Sequence, residues 1–145
     1  MKTYSATTAI RATPEAIWKI LTDAAGYPSW DHSYTSIEGQ IALGETITLH
    51  HRDMKPQVLP MTVTVFEPQQ RMVWTGGGMP EAVFKGERVF ALSAPNGSGG
   101  AAEVEFTVQL VFSGLMAAVI TKSIPDMQPH LDEFAAALKK RAEQP

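Results

Sequence analysis

No cysteine occurs among the 145 residues. That excludes a disulfide scaffold, a thiolate metal site and a cysteine nucleophile. Positive charge is not in surplus either: 12 Lys+Arg stand against 15 Asp+Glu, for a formal net charge of -3. A dedicated nucleic-acid binder needs a cationic footprint to displace counterions, so no nucleic-acid partner is expected. Long apolar runs are missing too. The most apolar stretch, Leu110 to Ile120, is interrupted by Ser113 and Gly114 and falls far short of the ~20 residues that cross a bilayer. Met1 to Ile10 alternate polar and apolar residues and lack the h-region of a signal peptide. The expected location is cytoplasmic, with no integral membrane contact. No serine sits in a GxSxG elbow, and no HExxH occurs. Gly76, Gly77 and Gly78 are followed by neither a Lys-Ser/Thr pair nor a helix opening, so they do not form a phosphate loop. His50, His51 and Asp53 are close in sequence, but adjacent strand residues diverge, and His130 stands alone on the last helix. Neither a metal nor a cofactor is expected.

What is present suits one domain over residues 1–145. A chain of this size buries roughly 68–70% of its unfolded surface, enough for a core without staples. Thr3 to Arg11 alternate and read as a strand. Thr13-Pro14-Glu15 then opens a helix. Thr13 can cap it, Pro14 loses nothing at the first helical position, and Glu15 suits the positive end of the dipole. Asp23 can cap a second short helix, Ala24 to Tyr27, which Pro28 stops. Further strands are read at Ser33 to Glu38, Glu45 to His51, Val58 to Phe66, Arg71 to Thr75, Ala82 to Leu92 and Ala101 to Phe112. Pro95 to Gly100 is a strong hairpin-loop signal between the last two.

The last strand places Ala102, Val104, Phe106, Val108, Leu110 and Phe112 on one face, with Glu103, Glu105, Thr107 and Gln109 on the other. One buried and one wet face mark an antiparallel sheet covered on a single side. The cover is at hand: Ile120, Ile124, Met127, Leu131, Phe134 and Leu138 step by three and four, a helical stripe. Pro125 and Pro129 each remove a helical hydrogen bond, so a break or bend is expected between Lys122 and Pro129. Asp126 can restart the helix, with Ser123 or with Pro129.

This order of elements resembles the START and birch-pollen-allergen superfamily. Within it, the chain is similar to the polyketide cyclase/dehydrase and lipid-transport group of SRPBCC domains. The matching residues are Ala12 to Trp18, Leu21-Thr22-Asp23, Tyr27 to Trp30, Glu38-Gly39, Leu43-Gly44, Glu67-Pro68, Met72-Val73-Trp74 and Phe112 to Leu115. The resemblance implies an α+β helix-grip fold. In that fold, a seven-stranded antiparallel sheet wraps a long, bent C-terminal helix, and two short helices follow the first strand. It also implies a deep, mostly apolar cavity between sheet and helix, which in relatives takes polyketides, sterols, lipids or hormones.

Candidate ligand-binding residues are Trp30, Tyr34, Trp74, Phe84, Arg88, Phe90, Phe106, Val108, Leu110, Met116, Ile120 and Met127. Each could equally pack the core. Gly86 lies between Phe84 and Arg88 on an inward face, where a missing side chain makes room or marks a bulge. A buried Arg88 would suit an anionic ligand oxygen; the alternative is an internal ion pair or a head that snorkels to water. The candidates for acid/base work are His51, His50, Asp31 and Arg88. Of the two histidines one should point inward, and strand register decides which. Three classes of function fit. The first is binding of a hydrophobic or amphipathic small molecule. The second is a cofactor-free polyketide cyclase or dehydratase, and the third a chaperone-activator-like interaction domain. No basic or apolar surface run supports the third. An exposed strand edge leaves a homodimer open.

Overall fold

The computed structural model describes residues 1–54, 57–76, 80–93 and 103–144. The Pro95 to Gly100 loop, Gly77 and Gly78, and the Ala101-Ala102 start of the last predicted strand lie outside these residues. The chain runs through β1 (Lys2–Ile10), α1 (Pro14–Leu21), a 3-10 helix (Ala24–Ser29), β2 (Tyr34–Glu38), β3 (Thr46–His51) and β4 (Val58–Glu67). Then come β5 (Arg71–Gly76), β6 (Lys85–Ser93), β7 (Val104–Ser113), α2 (Ala117–Ile120), a short 3-10 turn (Thr121–Ser123) and α3 (Gln128–Glu143). The seven strands form one antiparallel sheet in the order β1-β7-β6-β5-β4-β3-β2. This is the helix-grip architecture that the resemblance implies.

The local chemistry follows the sequence closely at α1. Thr13 Oγ1 accepts from Ala16 N at 3.1 Å, and Pro14 occupies the first turn. The next turn departs from expectation. Asp23 stands at the cap position of the 3-10 helix, but its side chain caps nothing; its carbonyl accepts from Gly26 N at 3.1 Å. Pro28 does not end the helix, which runs on to Ser29. The amides of Trp30 and Asp31 both reach back to the Tyr27 carbonyl, so no N–H is needed at Pro28.

β6 starts later than predicted, at Lys85, because Val83 and Phe84 both donate to the Pro80 carbonyl in a turn. Gly114 makes the matching turn after β7. Its φ is +110°, and a Cβ there would lie 2.6 Å from the Val83 carbonyl oxygen. Gly86 does sit on the inward face, but Phe112 fills the vacated space: its ring stacks on Phe84 at 5.6 Å and would touch a Cβ at Gly86.

The expected bend of the last helix is a full interruption. The chain leaves helical geometry at Ile124, and α3 begins at Gln128. Asp126 restarts it, its Oδ1 accepting from Gln128 N at 3.0 Å. Only Leu131, Phe134 and Leu138 of the predicted stripe therefore lie on α3. Two β-bulges bend the sheet, one between Tyr34 and Ser36 and one between Val63 and Val65. The first lets Tyr34 and Ile37, three residues apart, both face inward.

α3 also closes the β1 edge. Gln128 Nε2 donates to the Ser5 carbonyl at 2.8 Å, and Lys139 Nζ donates to the Ala9 carbonyl at 2.6 Å. Arg11 N donates to Glu143 Oε2 at 2.9 Å, which with the Lys139 ammonium holds that carboxyl below its ordinary range. The edge left for pairing another chain is the short β2.

Candidate functional site

Strand alternation settles the direction of each candidate. Ile47, Leu49 and His51 share the inward face of β3, so His51 is buried and His50 points out. His50 Nε2 lies 3.1 Å from the Glu38 carboxylate on the outer face, which removes His50 from the site. His51 pairs in register with Tyr34 across β2 and β3, and the two rings stack at 5.4 Å.

On β6, Arg88 is 5% exposed, so it neither snorkels nor sits at the surface. Its Nη1 is 3.1 Å from Nε2 of His130, on α3. Its guanidinium lies 4.6 Å from the Phe134 ring centre and 5.6 Å from that of Phe90, on cation–π contacts. No ion pair to Arg88 occurs among the described residues. Its Nε and Nη2 are buried and have no hydrogen-bond partner.

Those orphans have company. Trp74 faces Arg88 in the β5–β6 register, and its indole Nε1 has no partner. The Tyr34 hydroxyl has none, nor does Oδ2 of Asp31. Asp31 Oδ1 is occupied by Ser33 N at 3.0 Å and Ser33 Oγ at 2.6 Å, which locks the turn into β2. Burial raises the Tyr34 pKa, with Arg88 pulling down and Asp31 pushing up. Strand register, electrostatics and ring contacts thus gather these groups in one interior region. Tyr27 stands at its centre, 4.9 Å from Trp30, 5.9 Å from Tyr34 and 6.0 Å from Trp74. Its own hydroxyl is satisfied, donating to the Leu21 carbonyl at 2.6 Å.

The apolar candidates divide. Trp30, Phe90, Phe106, Val108, Leu110 and Met127 are buried in the same core as Trp74. Phe84 is buried away from it, against Phe112. Ile120 is half-buried on α2. Met116 is 42% exposed and does not face the interior, because Gly114 turns the chain outward and Met116 N donates to the Val83 carbonyl. With Leu115 and Val119 it forms an exposed apolar run that the sequence pattern does not reveal.

His130 and Phe134 are the functional candidates that sequence reasoning misses. They are four residues apart, on one face of α3, opposite the inward face of β6 that carries Arg88. Burial and the nearby Arg88 and His51 push the His130 pKa down to about 3, so its imidazole is neutral and accepts from Arg88 through Nε2. A surface pocket of about 310 Å³ lies outside this region, bordered by His32, Lys140 and Arg141. Trp30 belongs to both, lining the pocket and lying 5.4 Å from Phe134.

The sequence matches the family model described as polyketide cyclase/dehydrase and lipid transport over residues 1–143. The chain belongs to this family. No curated protein sequence matches it significantly. Among solved structures it is similar to a START superfamily protein from Mycobacterium smegmatis, with a TM-score of 0.69 and 19% identity, over 98% of this chain and 97% of that one. It is also similar to norcoclaurine synthase from Thalictrum flavum in complex with dopamine and hydroxybenzaldehyde. There the TM-score is 0.66 and the identity 13%, over 97% and 85% of the two chains. The Aha1 dimer from Colwellia psychrerythraea gives 0.62 at 23%, over 99% and 95%. At these identities the likeness is one of fold.

Proposed function

We propose that this family member binds a hydrophobic or amphipathic small molecule between its sheet and α3, with the ligand's polar group held at Arg88. One observation carries the reading. Arg88 is buried with no counter-ion among the described residues, and two of its nitrogens are unpaired in the same interior as the unpaired indole of Trp74, its partner in register, and the unpaired hydroxyl of Tyr34. An uncompensated buried charge costs several kcal/mol, roughly, and each unsatisfied buried donor adds about 1–3 kcal/mol. A fold retains such a cluster where a ligand completes it. Trp30 lies between the outer pocket and Phe134, and displacement of its ring is the proposed way in.

The test is saturable binding of the uncharged dye N-phenyl-1-naphthylamine, read by its fluorescence, with native mass spectrometry on freshly purified protein. One dye site per chain, competed by the compound that copurifies, supports the proposal. A dye signal that never saturates, together with a bare chain mass, rejects it.

A second reading, catalysis of a cyclisation or dehydration, draws on the buried His51–Tyr34 stack in the same interior. The stack brings an imidazole and a phenol, both able to carry a proton, to the same interior. If the copurifying compound is turned over, His51→Gln should abolish turnover and leave binding intact.

A further inference from the structure

Resting on the binding reading above, we infer that the ligand's polar group is a carboxylate, gripped edge-on by Nε–H and Nη2–H of Arg88. A guanidinium offers in-plane edges and two faces. The ring centres of Phe134 and Phe90 lie 4.6 and 5.6 Å from the Arg88 guanidinium and 5.8 Å from each other, so both rings cover it from one side and an anion is left its edges and its other side. Nη1 is already engaged, by His130 at 3.1 Å. The edge whose two donors are both buried and unpaired is the one formed by Nε and Nη2.

Two parallel N–H donors fit a planar anion with two oxygens; this is the fork that arginine presents to carboxylates. A ketone, phenol or alcohol presents one oxygen and leaves one of the two donors unpaired. Among the described residues no carboxylate fills the place. Asp31 uses one oxygen on Ser33, and its other oxygen is itself unpartnered, so it is not on Arg88. His130 supports the same assignment. As a neutral acceptor it fixes the guanidinium without cancelling its charge, so that charge is kept for the ligand. Trp74, opposite Arg88 in register, supplies a further unpaired N–H for an oxygen lone pair.

The experiment compares ligands of one shape. 2-Naphthoic acid, 2-naphthamide and 2-naphthol compete against N-phenyl-1-naphthylamine at pH 7.5, on wild type, Arg88→Lys and Arg88→Met. In the wild type, naphthoate should bind at least about tenfold more tightly than the amide or the naphthol, since a charge-assisted bidentate pair is roughly twice as strong as a neutral bond. Arg88→Lys keeps the charge but loses the fork, and should lose most of that preference. Arg88→Met should lose all of it while still binding the uncharged dye, with thermal melts confirming that both variants fold. Equal binding of the three competitors to the wild type overturns the carboxylate assignment and leaves the binding proposal standing. A preference that survives in both variants also overturns it, and locates the anion at the surface cations of the outer pocket. No binding of the dye or of any competitor overturns both.

Discussion

α3 meets the rest of the molecule along two sides, and the two treat polar groups in opposite ways. Toward the β1 edge, three polar groups are answered: Gln128 by Ser5, Lys139 by Ala9, and Arg11 by Glu143. Toward the β5–β6 face, Arg88 keeps one bond of its fork and leaves two nitrogens empty, next to the empty indole of Trp74. Both sides belong to one packed body of side chains. The difference is that satisfied groups hold an element in place, whereas buried unsatisfied groups cost stability.

The largest effect should come from the packing that both sides share. Leu131 is fully buried on α3, and Leu131→Ala is expected to cost about 2–5 kcal/mol in urea unfolding. The sharpest comparison is between two tyrosines of the same core. Tyr27→Phe loses the bond to the Leu21 carbonyl and should cost about 0.5–1.5 kcal/mol. Tyr34→Phe removes a hydroxyl that has no partner, so stability should hold or rise by up to about 1 kcal/mol. Equal losses in the two variants would erase the distinction between the regions.

Acid should reveal the same asymmetry through His130. Its folded pKa is depressed from 6.5 to about 3, so between those values the unfolded chain takes up a proton that the folded chain refuses. This contribution is complete above pH 6.5 and is lost as the pH falls toward 3. His130→Gln can still accept from Arg88, and should flatten the slope of unfolding free energy against pH in that window. The smallest effect is expected at the exposed edge. Lys139→Ala breaks an exposed pair with Glu143 at 2.8 Å together with the bond to the Ala9 carbonyl, and the urea midpoint should move least of all these variants, less still in high salt.

Patterns that repeat were legible in the sequence. Alternation on β7, the Thr13-Pro14-Glu15 opening and the two prolines around Asp126 fixed strand, helix and break, because each is decided by neighbours along the chain. That one of His50 and His51 turns inward was legible, but which one was left to strand register; the structure turns His51 inward, in step with Ile47 and Leu49. The partnership of Arg88 with His130 and Phe134 was not. It joins β6 to α3 across 42 residues in the case of His130, and depends on where Asp126 restarts the helix, a choice of phase that no local pattern sets. Met116 failed as a lining residue for a similar reason. Its hydrophobicity fits the interior, but the positive φ of Gly114 turns the chain away. Gly86 left room or a bulge open, and the structure shows neither: Phe112, across the β6–β7 ladder, takes the space.

The most direct measurement is urea unfolding of wild type and Arg88→Met, each with and without 2-naphthoate. If Arg88 is held for a ligand, replacing its unpaired charge with a packed thioether should leave the chain at least as stable, with a gain of up to roughly 4 kcal/mol. Naphthoate should then stabilise the wild type alone. A loss of about 3–5 kcal/mol in Arg88→Met, the size seen when one partner of a buried ion pair is removed, with no stabilisation of the wild type by naphthoate, would contradict the assignment and make Arg88 a structural residue.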